Sequence, residues 1–213
     1  MILLVKNTLF PSNTFIVTNE KDVNCIIIDP GLNEEIIDKK IQELSLNPIA
    51  IIATHGHFDH IGSTAFFQTK YSIPFYLHQA DFKISQSIGF YLKVVGIKHK
   101  IITPKPDFLI KGDFEKISIK NFNFEIYSFP SHTAGSVVIK FENNIFSGDI
   151  FYTKGLGFNH FPGEDKVKLR NSVLKIFKIF NDDIIVLPGH GESESLSFIK
   201  ENNLELKDFL LKN

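Results

Sequence analysis

The chain has 213 residues and a formal net charge of −1, with 43% hydrophobic and 22% charged residues. That length suits one large domain spanning 1–213 and is ample for a full core. The near-neutral balance excludes a strong electrostatic footprint for nucleic acid or an anionic membrane surface. The single cysteine, Cys25, excludes an internal disulfide.

No run approaches the ~20 apolar residues of a membrane span, so no membrane partner is expected. The opening residues 1–6 lack the basic leader, long apolar stretch and cleavage site of a signal peptide, and a cytoplasmic location is expected. Short β-branched runs predict strands over 2–6, 13–18 and 24–29, the last closed by the turn residues Asp29-Pro30-Gly31. A helical pattern follows over 33–44, with Ile36, Ile37, Ile41 and Leu44 on one face and Asn33 as its cap. Next come a buried strand over 49–53, a helix over 62–70, a strand over 75–78 and a helix over 79–87. Residues 90–111 carry five lysines and two prolines and read as an exposed excursion. Strands return over 115–119, 123–129, 136–141 and 144–146. An amphipathic helix over 166–180, a buried strand over 184–187 and a final helix over 195–203 complete the chain. This α/β pattern permits a sheet-on-sheet core with outer helices or an open sheet, and periodicity does not decide between them.

One arrangement recurs four times: an apolar strand ends and a potential metal ligand follows at once in a small-residue turn. Ile51-Ile52-Ala53 leads to Thr54-His55-Gly56-His57-Phe58-Asp59-His60, and Phe129-Pro130 leads to Ser131-His132-Thr133. Ile145-Phe146 leads to Ser147-Gly148-Asp149, and the 184–187 strand leads to Pro188-Gly189-His190-Gly191. Ligands on loops at strand ends converge on a rigid scaffold. His55 and His57, two apart in extended backbone, share a face and can chelate one ion. Imidazoles and carboxylates without thiolate suit zinc first, with iron or manganese as alternatives. His55, His57, Asp59, His60, His132, Asp149 and His190 exceed the needs of one catalytic zinc. Two divalent ions sharing a bridging carboxylate, ~3.5–4 Å apart, account for the surplus.

The motif over 54–60 resembles the signature of the metallo-β-lactamase superfamily. Pro130-Ser131-His132-Thr133-Ala134-Gly135-Ser136, Phe146-Ser147-Gly148-Asp149 and Pro188-Gly189-His190-Gly191 are similar to its later motifs, in order. Asn13 and Ile28-Asp29-Pro30-Gly31 are similar to its N-terminal strands. The resemblance covers nearly the whole chain and implies a single-domain αββα four-layer sandwich. It is nearest the glyoxalase II-like (hydroxyacylglutathione hydrolase-like) branch. That branch implies that His55, His57 and His132 hold one ion, that Asp59, His60 and His190 hold the other, and that Asp149 bridges them. The chain departs from the branch at 157–160, where Gly157-Phe158-Asn159-His160 replaces its Gly-Arg-Thr-Asp, and at 192–195, where Glu192-Ser193-Glu194-Ser195 follows the last histidine.

The implied reaction is hydrolysis of a small-molecule thioester, such as a glutathione thioester, by a metal-bridging hydroxide. Asp59 is the expected catalytic carboxylate, orienting that nucleophile. The alternatives are a mononuclear iron persulfide dioxygenase, with His55, His132 and Asp149 as its facial triad, or another metallo-hydrolase of an ester or lactone. Asp29 is expected to buttress the ligand turn rather than bind metal. Tyr152 and Lys154 are candidate pocket residues, His160 is read as a surface residue near the mouth, and His78 and His99 read as structural or solvated.

Overall fold

The computed structural model describes residues 1–19, 22–157 and 165–212. The chain divides into two compact units, the first comprising Met1–Lys111 with Ile119–Phe122 and the second Gly112–Ser118 with Asn123–Asn213.

The first unit runs β1 (Ile2–Asn7), β2 (Ser12–Thr18), β3 (Asn24–Ile28), α1 (Glu34–Glu43), β4 (Asn47–Ile52), α2 (Phe58–Ile61), α3 (Thr64–Tyr71), β5 (Phe75–His78), α4 (Phe82–Ser85), α5 (Ile88–Val94) and β6 (Phe108–Ile110). Its sheet has the order β1-β2-β3-β4-β5-β6. β1, β2 and β3 are antiparallel neighbours. From β3 to β6 the pairing is parallel. Parallel neighbours need a crossover, and α1 and α3 supply the first two. Cys25, Ile27, Ile51, Ala53, Phe75 and Leu77 face one core with Ile37 and Ile41 of α1, Phe58 and Ile61 of α2, and Phe67 of α3. The intervening residues Ile26, Ile28, Ala50 and Ile52 are equally buried, which explains the unbroken apolar runs of β3 and β4.

The second unit runs β7 (Phe114–Ile119), β8 (Phe122–Ser128), β9 (Val137–Phe141), β10 (Asn144–Gly148), α6 (Lys166–Ile179), β11 (Ile185–Pro188), β12 (Glu194–Ser195), α7 (Leu196–Asn202) and α8 (Leu204–Leu211). The sheet order is β12-β11-β10-β9-β8-β7. β10 and β11 pair in parallel, with Ile145 opposite Val186 and Phe146 opposite Leu187. Leu169, Val173 and Ile176 of α6 recur at helical spacing and pack with Val138, Ile145, Val186, Ile199 and Leu206. Asp165 caps α6, its Oδ1 accepting from the backbone N–H of Val167 and Lys168, both at 3.0 Å.

Three expectations from the sequence are corrected. Residues 90–111 are not an excursion: α5 buries Ile88 and Leu92 in the first core, and Tyr91, Val95, Ile97 and Ile101 pack against it. The lysines at 93, 98, 100, 105 and 111 are exposed, as expected, but they decorate the outside of a packed element. Asn33 stands at the start of α1 but does not cap it; its Oδ1 accepts from the backbone N–H of Thr8 and Leu9, at 2.5 and 3.1 Å. Beyond the final expected helix lies α8. Asn203 ends α7 in non-helical backbone and caps α8, its Oδ1 accepting from Leu206 N at 3.0 Å.

Candidate metal centre

The candidate ligands of the first unit follow the C-terminal ends of parallel strands, where open α/β sheets gather their sites. β3 delivers Asp29, β4 delivers the 54–60 turn and β5 delivers Asp81. His55, His57, Asp59 and His60 are all buried, His60 completely. The His55 ring lies 4.8 Å from that of His57 and 4.2 Å from that of His60, centroid to centroid. His60 Nε2 is 3.5 Å from Asp59 Oδ2.

Asp29 organises this cluster from a left-handed backbone conformation, φ 51°. Its Oδ1 accepts from Thr54 N at 2.7 Å, and its Oδ2 accepts from Thr54 Oγ1 at 2.6 Å and His60 Nδ1 at 3.1 Å. Thr54 spends its only hydroxyl proton on Asp29, so its oxygen accepts from His55 Nδ1 at 3.1 Å. Both imidazoles thereby carry their proton on Nδ1 and present the Nε2 lone pair, the state a metal ligand needs. Asp29, His55 and His60 offer ligand atoms within 4.8 Å of one another. The hydrogen bonds on both Asp29 oxygens make it the buttress the sequence predicts. Asp59 is held by its backbone: Ser12 Oγ donates to its carbonyl at 2.7 Å. Gly56 N donates to Asp81 Oδ2 at 2.8 Å, and a Cβ at Gly56 would stand 2.7 Å from the Ile84 side chain. Asp81 was not singled out by the sequence, where it is one polar residue in a predicted helix.

In the second unit, His132 sits in a turn knitted by its small polar neighbours. Thr133 N donates to Ser136 Oγ at 2.9 Å and Ser131 Oγ donates to Phe129 O at 2.8 Å. His132 Nδ1 lies 2.8 Å from the Gly157 carbonyl oxygen, which can only accept, so this ring too presents Nε2. Gly157 has no room for a side chain, since a Cβ there would fall 1.5 Å from Asp149 O. Gly157 thus holds His132 through its carbonyl and packs on the Asp149 backbone. Asp149, buried at the end of β10, has Oδ2 3.1 Å from His190 Nε2 and 3.8 Å from His132 Nε2. Metal–nitrogen bonds of ~2.0–2.1 Å at tetrahedral angles separate neighbouring donors by about 3.3 Å, and the spacings here match that. Buried imidazole and carboxylate donors of these types suit divalent ions.

His190 is half-buried and meets the Tyr152 ring edge-on, centroids 5.5 Å apart. Tyr152, Thr153, Lys154, His190, Gly191 and Glu192 line a cleft of about 340 Å³. Tyr152 and Lys154 are thus pocket residues. His78 is buried, and its Nδ1 accepts from Ala80 N at 3.4 Å. His99 Nε2 lies 3.6 Å from Glu34. Phe158 and His160 lie outside the described residues. Cys25 is buried in the core, and burial pushes its thiol up to about 12. Among the described residues no helix is long and apolar enough to cross a membrane.

A family model described as the metallo-beta-lactamase superfamily matches residues 7–190, a span holding all seven candidate ligands. The chain is similar to the probable metallo-hydrolase YqgX of Bacillus subtilis, 34% identical over 195 residues, 89% of this chain and 90% of that protein. It is similar to the hydroxyacylglutathione hydrolase GloC of Haemophilus influenzae, 30% identical over 205 residues, 95% of this chain and 96% of that protein. Among solved structures it resembles the BLEG-1 B3 metallo-beta-lactamase, with a TM-score of 0.88 and 27% identity over 97% of this chain and 99% of that one. It also resembles TTHA1623, solved in a di-iron-bound form, with a TM-score of 0.84 and 25% identity over 95% of this chain and 98% of that one. The fold is that of these neighbours, the αββα class expected from the sequence.

Proposed function

We propose that this chain, which belongs to the metallo-β-lactamase superfamily, is a dinuclear metal-dependent thioester hydrolase. The observation that carries the reading is Asp149 Oδ2 flanked by the Nε2 atoms of His190 at 3.1 Å and His132 at 3.8 Å. A carboxylate between two imidazoles, that of His132 held in one tautomer by Gly157 O, is suited to bridge two ions.

His55, His57 and His132 would hold one ion, Asp59, His60 and His190 the other, with Asp149 shared. When bound, two divalent ions supply Lewis acidity and lower the pKa of a coordinated water toward ~7. Hydrogen bonds from Nδ1 of His55, His60 and His132 fix the rings, so little reorganisation is needed. Asp59 would be the catalytic carboxylate, helping to hold an ion and accepting a hydrogen bond from the attacking water. A water proton passes to solvent as hydroxide forms; the new bond joins the hydroxide oxygen to the acyl carbon, the C–S bond breaks, and the thiol leaves as thiolate. With a parent pKa of ~8.5, that leaving group needs no general acid.

Likeness to GloC over 95% of this chain supports a hydroxyacylglutathione as substrate. Zinc suits the donor set, and the di-iron form of TTHA1623 makes iron the alternative. A second reading, β-lactam hydrolysis, is favoured by the likeness to BLEG-1. The test assays metal-loaded protein with S-lactoylglutathione and with a chromogenic cephalosporin, using Asp149→Asn as control. Turnover of the thioester, lost at least a hundredfold in the variant, is expected. Full metal content and full activity in the variant would refute the bridging role. Turnover of the cephalosporin alone would favour the second reading.

A further inference from the structure

Asn7 ends β1 directly opposite Ser12, the first residue of β2, and is 3% exposed. Its Nδ2 lies 2.9 Å from Ser12 Oγ, 2.9 Å from Thr14 Oγ1 and 3.3 Å from the Ser12 carbonyl oxygen. A carbonyl only accepts, so the amide nitrogen is the atom that faces this way, and its two N–H groups meet the two hydroxyls. Each hydroxyl has one proton, and each sends it to a backbone carbonyl. Ser12 Oγ donates to Asp59 O and Thr14 Oγ1 donates to Asp29 O, both at 2.7 Å. Turned the other way, the Asn7 oxygen would take both protons and leave both carbonyls without them.

Both carbonyls depend on these donors. Asp59 sits in the one-turn helix α2, and Ser63 N, which a longer helix would aim at Asp59 O, donates instead to Pro30 O at 3.0 Å. Asp29 stands in left-handed backbone, φ 51°, which a non-glycine residue keeps only where its surroundings hold it. Thr14 Oγ1 holds this bend from both sides, since it also accepts from Gly31 N at 3.1 Å. Gly31 closes the cradle: a Cβ there would overlap Asn7 Nδ2, Asp59 O and Ser12 Oγ. One buried amide is thereby tied, through two one-proton links, to the backbone of Asp59 and of Asp29.

We propose that Asn7 is a positioning residue of the metal centre: through Ser12 and Thr14 it fixes the backbone at Asp59 and Asp29 together, and so the aim of both carboxylates. It rests on the proposed metal centre, in which Asp59 holds an ion and Asp29 steadies two ligand rings.

The test loads cobalt(II) into the whole chain. It follows the dissociation constants, by competition with a chromogenic chelator, and the visible absorption at saturation. The bands of a saturated site report ligand geometry, which a general loss of stability does not alter. Asn7→Ala removes both N–H donors and frees each hydroxyl to turn. The dissociation constant of at least one ion is expected to rise about tenfold, with shifted bands at saturation. Ser12→Ala cuts the arm to Asp59 alone and should shift the bands in the same direction, by less. In a Ser12→Ala/Thr14→Val background, Asn7→Ala should add no further loss, since nothing remains for it to act through. A full further loss in that background, or unchanged affinity and bands in Asn7→Ala, would overturn the proposal. Should Asn7→Ala fold poorly, Ser12→Ala decides, and wild-type affinity and bands there would overturn it equally. These quantities need no turnover. The variant effects above, in a protein that leaves S-lactoylglutathione intact, would support the proposal while sinking the thioester reading. Wild-type protein that binds no cobalt would sink both.

Discussion

The Asp29 carboxylate sits where a small chemical change has a large effect. It accepts from Thr54 N, Thr54 Oγ1 and His60 Nδ1, and through Thr54 it also sets the tautomer of His55. Asn at this position is nearly isosteric but puts an N–H where one of those donors points, so a bond must break and a ring must turn. Asp29→Asn is expected to weaken metal binding about 10- to 100-fold without removing any ligand, the usual cost of losing such a partner. Competition against a chromogenic chelator measures it, and wild-type affinity in the variant would show that Asp29 does not hold the rings. The seven candidate ligands and Asp29 were legible in the sequence because each follows an apolar strand in a turn of small residues. Asp81 and Gly157 were not. They act on backbone atoms 25 and 8 positions away in the chain, and nothing in their local spacing marks them.

At the scale of elements, α5 is the least expected piece of the structure. Ile88, Tyr91, Leu92 and Val95 recur at helical spacing and turn inward, while Lys93 and Lys98 stay outside. The pattern was hidden because the lysines and prolines that follow dominate its composition. α8 was missed for a different reason: Asn203 reads as a stop for α7 but also caps the next helix. The strands were more legible, since β3, β4, β10 and β11 are short apolar runs closed by turn residues. Leu92 is 2% exposed in the first core, so Leu92→Ala should cost about 2–5 kcal/mol, transfer and cavity terms together. Urea unfolding would show this as a lower midpoint at unchanged slope. A loss below about 0.5 kcal/mol would mean that α5 is a surface element after all.

For the whole molecule, composition and charge exclude much and assign little. Periodicity left two architectures open, and the ordered motifs pointed to the αββα fold that the solved relatives bear out at a TM-score of 0.88. The topology explains why the motifs lie where they do. β3, β4 and β5 in one sheet, and β10 and β11 in the other, are parallel neighbours whose C-terminal ends carry Asp29, the 54–60 turn, Asp81, Asp149 and His190. Helices and sheets are thereby a frame, and function lies in the turns. The substrate was the least legible property, because cleft residues such as Tyr152 and Lys154 are of types that carry no fixed chemistry until the loop places them. The measurement that tests the account most directly is a titration of metal-free protein with zinc or ferrous iron, following bound metal and S-lactoylglutathione hydrolysis together. Activity should climb to a plateau at about two ions per chain, as seven ligands sharing one carboxylate require. Full activity without metal, or a plateau at one ion, would contradict it.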